Sequence, residues 1–309
     1  MTVVPKFTDL PVMSNGLRAA WGVFGADDDL GTINFLTPER VVAAAAEIRS
    51  GERIVVTLPL DLPNPPFYGR KPFQHTIFEL SGRYQDDRLD GFYPQASSQW
   101  DALRHMRDSE LGFYNGVSDE DAGPTGSRLG IDALARGVIG RGVLVDVARN
   151  GGIPDYSPTA AIPLGVADLE RTLDAQDVRL REGDILLLHT GYVSAYLAAD
   201  QDSRKAMQQV QTVPGLEASQ EVAEFLWDHS IAAIAADSPG VEVIPPQPEV
   251  PLLHAQLIPL LGMTFGEFFD FGALSEAAAA DRRYTAFFAA VPLNLPRGVG
   301  SPANAVVIR

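Results

Sequence analysis

The 309-residue chain contains no cysteine. That excludes disulfides, thiolate nucleophiles and cysteine-ligated metals, and it leaves the redox compartment open. Positive charge is scarce: 24 lysines and arginines stand against 40 aspartates and glutamates, a formal net charge of −16. Nucleic acid and anionic membranes both require basic patches, so neither is an expected partner. No run approaches the roughly 18 apolar residues of a membrane span. Residues 1–16 lack the basic-then-apolar pattern of a secretory leader, and the expected location is the cytoplasm. Motifs of other enzyme classes are missing too. No Gly-x-Gly-x-x-Gly follows a strand-like run, there is no Walker loop, and Gly191-Tyr192-Val193-Ser194-Ala195 is not a nucleophile elbow.

What is present suits a globular protein with an ample core, 46% hydrophobic and 21% charged. With no internal repeat and no low-complexity linker, residues 1–309 read as one domain, with 1–36 as an N-terminal arm. In that arm Trp21, Phe24 and Phe35 offer apolar surface to a partner or to the chain's own core.

Thr37-Pro38-Glu39 followed by Val41, Val42, Ala45, Ala46 and Ile48 spells an amphipathic helix stopped by Gly51. Strands are expected over 53–60 and 77–84, the second ending at a polar turn, Gln85-Asp86-Asp87. Residues 114–130 read as a loop or lid, and 245–248 as an ordered proline-rich loop. Continuous apolar runs at 142–147, 183–190 and 231–237 are of the kind buried on both faces, separated by helical patterns at 166–175 and 216–229. A late strand over 287–293 and an edge strand over 306–308 complete the set. Alternating strands and helices predict an α/β fold: one mixed, largely parallel sheet with flanking helices.

The chemistry concentrates in residues 95–105, Gln-Ala-Ser-Ser-Gln-Trp-Asp-Ala-Leu-Arg-His. Polar groups this dense beside an indole face a ligand more readily than a core, since each one buried unpaired costs about 1–3 kcal/mol. Imidazole both takes and returns a proton near neutral pH, which makes His105 the candidate general base and acid, with the surface i,i+4 pair as its plain alternative. Asp101 is a metal ligand, the group orienting His105, or a helix N-cap. Gln99 joins the catalytic set; Gln95, Ser98, Arg104, Tyr93 and Trp100 are candidate substrate contacts. Trp100 also reads as a core anchor and Arg104 as half of a structural ion pair. Ser97 or Ser98 beside His105 leaves a covalent route open. Elsewhere, His75 and His189 have weaker claims, although His189 ends a buried strand where ligand clefts gather. His229 reads as a helix C-cap. Gly69-Arg70-Lys71-Pro72 is a small basic spot that reads as a solvated turn or a contact for an acidic substrate.

In this run the chain resembles the cyclase family of bacterial kynurenine formamidases and isatin hydrolases. That family carries His-x-Gly-Thr-His-x-Asp-x-Pro-x-His, whose first two histidines and aspartate bind a divalent metal. Laid on this chain, those positions are Gln95, Gln99 and Asp101, with the last histidine at His105. Asp28-Asp29-Leu30-Gly31-Thr32-Ile33-Asn34, Tyr114-Asn115-Gly116, Asp237-Ser238-Pro239 with Glu242, and Gly300-Ser301-Pro302 extend the likeness from about Trp21 to Ile308. The resemblance implies a cyclase-like swivelling β/β/α fold. It also implies an arylformamidase-like hydrolase that acts by water attack on a small cyclic or aromatic amide, lactam, lactone or formamide.

The two glutamines are the departure. Carboxamide oxygen is a harder, neutral donor than imidazole, so Mn2+, Mg2+ or Zn2+ would be held less firmly. The metal set implied by the resemblance is Gln95, Gln99, Asp101, His254 and Glu267. Without a metal, Gln95 and Gln99 could polarise the carbonyl themselves. The rival readings are a cyclase, dehydratase or lyase, and a non-catalytic small-molecule binder. A homo-oligomer, dimer or larger, is the expected assembly.

Overall fold

The computed structural model describes residues 4–247 and 250–309; Pro248, the end of the expected proline-rich loop, and residues 1–3 of the arm lie outside them. In chain order the strands are β1 (Arg53–Val55), β2 (Gln74–Glu79), β3 (Gln85–Asp90), β4 (Gln99–Asp101), β5 (Val138–Asp146) and β6 (Pro163–Leu164). There follow β7 (Ile185–His189), β8 (Gly215–Leu216), β9 (Ala233–Ala236), β10 (Thr264–Glu267), β11 (Thr285–Ala290), β12 (Gly300–Pro302) and β13 (Ala305–Ile308). The helices are α1 (Pro38–Ala44), α2 (Asp119–Ala122), α3 (Val147–Asn150), α4 (Val166–Gln176), α5 (Tyr192–Ala198), α6 (Gln201–Val210), α7 (Gln220–Asp228), α8 (Leu253–Gln256) and α9 (Gly272–Asp281). Among the described residues, no helix is long and apolar enough to cross a membrane.

Nine strands form one mixed sheet in the order β1-β13-β11-β5-β7-β9-β10-β4-β12. Within this sheet parallel pairing is confined to β5, β7, β9 and β10; the first three are the apolar runs of the sequence, and β10 is a strand the sequence reading did not include. Every residue of β7, β9 and β10 is buried, as expected of strands covered on both faces. Each fully buried Leu, Ile or Phe contributes about 1.5–3 kcal/mol, so this centre is the rigid base for whatever hangs from its ends. Antiparallel strands extend it on both sides.

Local signals explain the helix starts. The Thr37 side chain accepts from the Arg40 N–H, with Pro38 at the first position of α1. Ser219 does the same for α7, whose expected start at Leu216 is displaced because Leu216 belongs to β8.

Three sequence expectations are corrected. The strand over 53–60 ends at Val55, because the Val56 carbonyl turns to the Asp270 N–H and the Leu58 N–H to the Ser98 hydroxyl. The strand over 77–84 is half strand and half turn, and Gln85-Asp86-Asp87 is not a turn but the start of β3. The segment at 306–308 is no edge: β13 pairs with β1 on one side and β11 on the other.

The N-terminal segment packs onto the body. Phe7, Leu10, Ala20, Ile33 and Phe35 belong to the main core. Ala20 N–H donates to the Leu260 carbonyl and Trp21 Nε1 to that of Pro259, both at 2.8 Å. Thr32 donates through its N–H to the Gly262 carbonyl and through Oγ1 to that of Ala232. At Gly31 (φ +57°) a Cβ would fall 1.9 Å from the Gly262 oxygen, so only glycine permits this crossing.

Candidate active site

Strand β4 is three residues long and fully buried, sewn between β10 and β12. Side chains alternate along it, so Gln99 and Asp101 share one face and Trp100 takes the other. Trp100 packs edge-on against Phe269 and Phe288, at 5.4 and 6.3 Å between centroids. Gln99 stands directly opposite Glu267 of β10, and its Nε2 donates to Glu267 Oε2 at 2.6 Å.

After Asp101 the chain folds back at once, with the His105 N–H on the Ala102 carbonyl at 2.8 Å. This turn returns the His105 ring to Asp101, Nδ1 lying 3.7 Å from Oδ1. Gln95 joins the two: its Nε2 donates to Asp101 Oδ1 at 2.5 Å and to His105 Nδ1 at 3.0 Å. The carboxamide crosses close over β12, where a Cβ on Gly300 would lie 2.5 Å from Gln95 Cγ.

Across from His105, at 6.2 Å between ring centroids, lies His254 of α8. Its Nδ1 meets Glu242 Oε1 at 2.9 Å and its Nε2 meets Glu267 Oε1 at 3.2 Å. Burial by itself would lower the basicity of this ring, but the hydrogen bonds and charges of Glu242 and Glu267 outweigh it and hold His254 well above the ordinary histidine pKa. Glu267 is pushed up, first by burial and also by the nearby Asp101, with His254 opposing. The trio is a histidine hydrogen-bonded between two glutamates, a setting that favours its protonated form.

These groups open onto a cavity of about 460 Å³ lined by Gln99, His105, Glu242, His254 and Glu267. Tyr68, Arg70, Met106, Gln211, Val243, Ile244 and Leu252 form further parts of its wall. Asp101, His105 and His254 each offer a ligand atom, all within 4.8 Å of one another, a group that could hold a metal ion. Two buried acceptors, Asp101 Oδ2 and Gln99 Oε1, have no hydrogen-bond partner among the described residues. Unpartnered oxygens of this kind suit a hard divalent cation. The residues present therefore fit such an ion, on a narrower set than the sequence implied.

Several expectations about single residues are corrected. Gln95 turns its amide nitrogen inward to Asp101 and His105, so both of its hydrogens are occupied and it cannot polarise a carbonyl. Gln99 likewise has its nitrogen on Glu267 and presents an oxygen. Both Glu267 oxygens and both His254 nitrogens are engaged, so His254 joins a metal only by giving up a glutamate and a proton. Ser98 Oγ accepts from the Leu58 N–H and donates to the Phe268 carbonyl, a structural tie rather than a substrate contact or nucleophile. Ser97 Oγ is occupied by the Pro59 carbonyl. Arg104 is neither a clamp nor an ion-pair partner: it is buried and donates to the carbonyls of Gly123 and Gly126, fixing the expected lid. Trp100 lies in the core and Tyr93 on the surface, neither on the cavity wall.

His189 belongs to a separate buried cluster at the ends of the parallel strands. Its Nδ1 lies 2.8 Å from Asp146 Oδ1 and its Nε2 3.6 Å from Asp237 Oδ2. Asp146 also accepts from Ser275, and Asp237 from Thr190 and Gly191, so the cluster ties β5, β7 and α9 together. His75 pairs with Asp87 on the surface, and His229 Nδ1 donates to the Phe225 carbonyl at the end of α7.

Sequence reasoning did not anticipate Met106, Gln211 or Leu252 on the wall, and it left Arg70 between a solvated turn and a substrate contact. They reach the cavity from segments far apart in the chain, and no local pattern marks them.

A family model described as "Putative cyclase" matches residues 35–243, more than half of the chain. Among solved structures, a novel cyclase is 34% identical with a TM-score of 0.84, the match covering 94% of this chain and 99% of that one. Isatin hydrolase A from Ralstonia solanacearum is 14% identical with a TM-score of 0.57, over 88% of this chain and 97% of its own. Isatin hydrolase A from Labrenzia aggregata, solved with benzyl benzoate bound, is 15% identical with a TM-score of 0.54, over 87% and 97%. At those identities the isatin hydrolases share the fold alone. No curated protein matches the sequence.

Proposed function

This chain belongs to the cyclase family, and on that footing we propose that it is a hydrolase of a small cyclic or aromatic amide, lactam, lactone or formamide. The observation that carries the reading is the Asp101–Gln95–His105 network, which reaches the wall of a mostly apolar cavity through His105, with Asp101 and Gln95 set behind it. With Nδ1 accepting from Gln95, neutral His105 carries its proton on Nε2 and enters as the donor. Asp101 Oδ2, buried and unpartnered, is the acceptor for a proton of the attacking water. Water oxygen bonds to the carbonyl carbon as Asp101 Oδ2 takes its proton; the carbon–nitrogen or carbon–oxygen bond then breaks and Asp101 returns that proton to the leaving atom, which the His105 Nε2–H steadies by a hydrogen bond. Asp101 and His105 act as one coupled pair, and Gln95 holds both in register.

Asp101 Oδ2 and Gln99 Oε1 would hold a divalent cation, joined by His105 Nε2 only once that nitrogen has given up its proton, and this oxygen-rich set favours Mg2+ or Mn2+ over Zn2+. The chemistry such a cation supplies when bound is Lewis-acid polarisation of the carbonyl. The walls of Met106, Val243, Ile244 and Leu252 exclude water from the rest of the substrate. The benzyl benzoate bound to isatin hydrolase A from Labrenzia aggregata is in keeping with an apolar substrate body. Cytoplasmic residence and a homodimer complete the reading.

A panel of aromatic formamides, lactams and lactones, with each metal added in turn, tests it by mass spectrometry. At least one compound should gain one water. Asp101→Asn and His105→Gln should each slow that reaction by about 10²–10⁴-fold. Full activity in either variant defeats this mechanism, and a product of unchanged mass or lighter by one water points to the lyase reading.

A further inference from the structure

We propose that Arg70 recognises a carboxylate on the substrate, which makes the ligand of this cavity a small organic monoanion with an apolar body. The inference rests on the hydrolase reading for the reaction, but its evidence is separate.

Arg70 lines the cavity together with Gln99, His105 and Glu267. Its guanidinium carbon stands 5.4 Å over the Tyr68 ring, and its Nη1 is buried with no hydrogen-bond partner among the described residues. Among the described residues no carboxylate forms an ion pair with it, in a chain where acidic residues far outnumber basic ones. The other cation on the cavity wall, His254, is compensated by two glutamates. Among the described residues of the cavity wall, the Arg70 guanidinium has no counterion.

The backbone holds this placement. Tyr68 and Gly69 both lie in the left-handed region, at φ 58° and 71°, and the Arg70 N–H returns to the Phe67 carbonyl at 3.2 Å. Two such residues in succession make a tight turn of the I′ kind. A bulky side chain at positive φ is uncommon and collects at ligand clamps. Tyr68 is also pinned by its hydroxyl, which donates to the Pro239 carbonyl at 2.8 Å. The ring is thus a fixed platform beneath the guanidinium, whose Nη1 has no partner among the described residues. A planar fork of N–H donors matches a carboxylate with two parallel hydrogen bonds, a geometry lysine cannot copy. Met106, Ile244 and Leu252 then enclose the apolar remainder of a ligand small enough for the cavity.

Benzoate and benzamide have the same shape and differ in charge, which makes them the probes. Saturation-transfer NMR titrations with wild type, Arg70→Gln and Arg70→Lys should show benzoate binding to wild type about tenfold tighter than benzamide. Arg70→Gln should abolish that preference while leaving benzamide binding unchanged, which also shows that the cavity is intact; Arg70→Lys should restore part of it. Equal binding of the two probes by wild type, no benzoate binding, or a preference that survives Arg70→Gln would each overturn the proposal. Because binding is read without turnover, failure of the hydrolase mechanism leaves this result standing, and the reverse also holds.

Discussion

His254 shows how far a single residue's behaviour is set by its neighbours. Held between Glu242 and Glu267, it keeps its proton at a pH where the unfolded chain has lost it. A raised folded-state pKa means the stabilisation is complete below about pH 6.5 and disappears as pH climbs through the folded value. Melting temperature should therefore fall between pH 6.5 and the alkaline range. His254→Gln should flatten that fall and, by leaving two buried carboxylates without their cation, destabilise the protein at pH 6 by about 3–5 kcal/mol. Thermal scans of both proteins across this range check it; parallel slopes would refute the imidazolium assignment. In the sequence, Gln95, Gln99, Asp101 and His105 could be picked out because they crowd into eleven residues. Their orientations could not. Whether a carboxamide presents nitrogen or oxygen depends on Glu267 and on the tight turn after β4, which lie outside any local pattern.

At the scale of elements, burial decided what was legible. β5, β7 and β9 announced themselves because both of their faces are covered, which demands unbroken apolar runs; β10, with Thr264 and Glu267 in it, did not. β4 gave no such sign: three residues with two polar side chains form a strand only because β10 and β12 receive them. The β2–β3 hairpin misled for the opposite reason. Almost every residue in it is exposed, so alternation has no core to answer to. Ile77 and Tyr84 are 62% and 65% exposed, and an isolated two-stranded ribbon is marginal in water. A second copy of the chain is the partner we expect to cover it. Light scattering after gel filtration should report a dimer for wild type, and Ile77→Lys with Phe78→Lys should shift it toward monomer with the fold intact by circular dichroism. A monomeric wild type would contradict this.

Across the whole molecule the site is a convergence of distant segments. Tyr68 and Arg70, then Gln99, His105 and Met106, then Gln211, residues from 239–246, and finally Leu252, His254 and Glu267 all line one cavity, which is why the sequence showed the catalytic run but not the wall opposite it. An acidic surface at a net −16 repels small anions at long range, so an anionic substrate gains little from steering and depends on the local guanidinium once inside. Added salt should then speed capture of such a substrate rather than slow it.

The crossing of Gly31 over Gly262 sets a schedule for folding. During translation the first thirty-odd residues leave the ribosome early, yet the carbonyls they must reach, those of Ala232, Pro259, Leu260 and Gly262, are synthesised more than 190 residues later. Contacts of such separation form late, so Phe7, Leu10 and Phe35 wait uncovered until the sheet is nearly complete. The segment that closes the fold is thus the one most exposed to chaperones and proteases while the polypeptide is still growing.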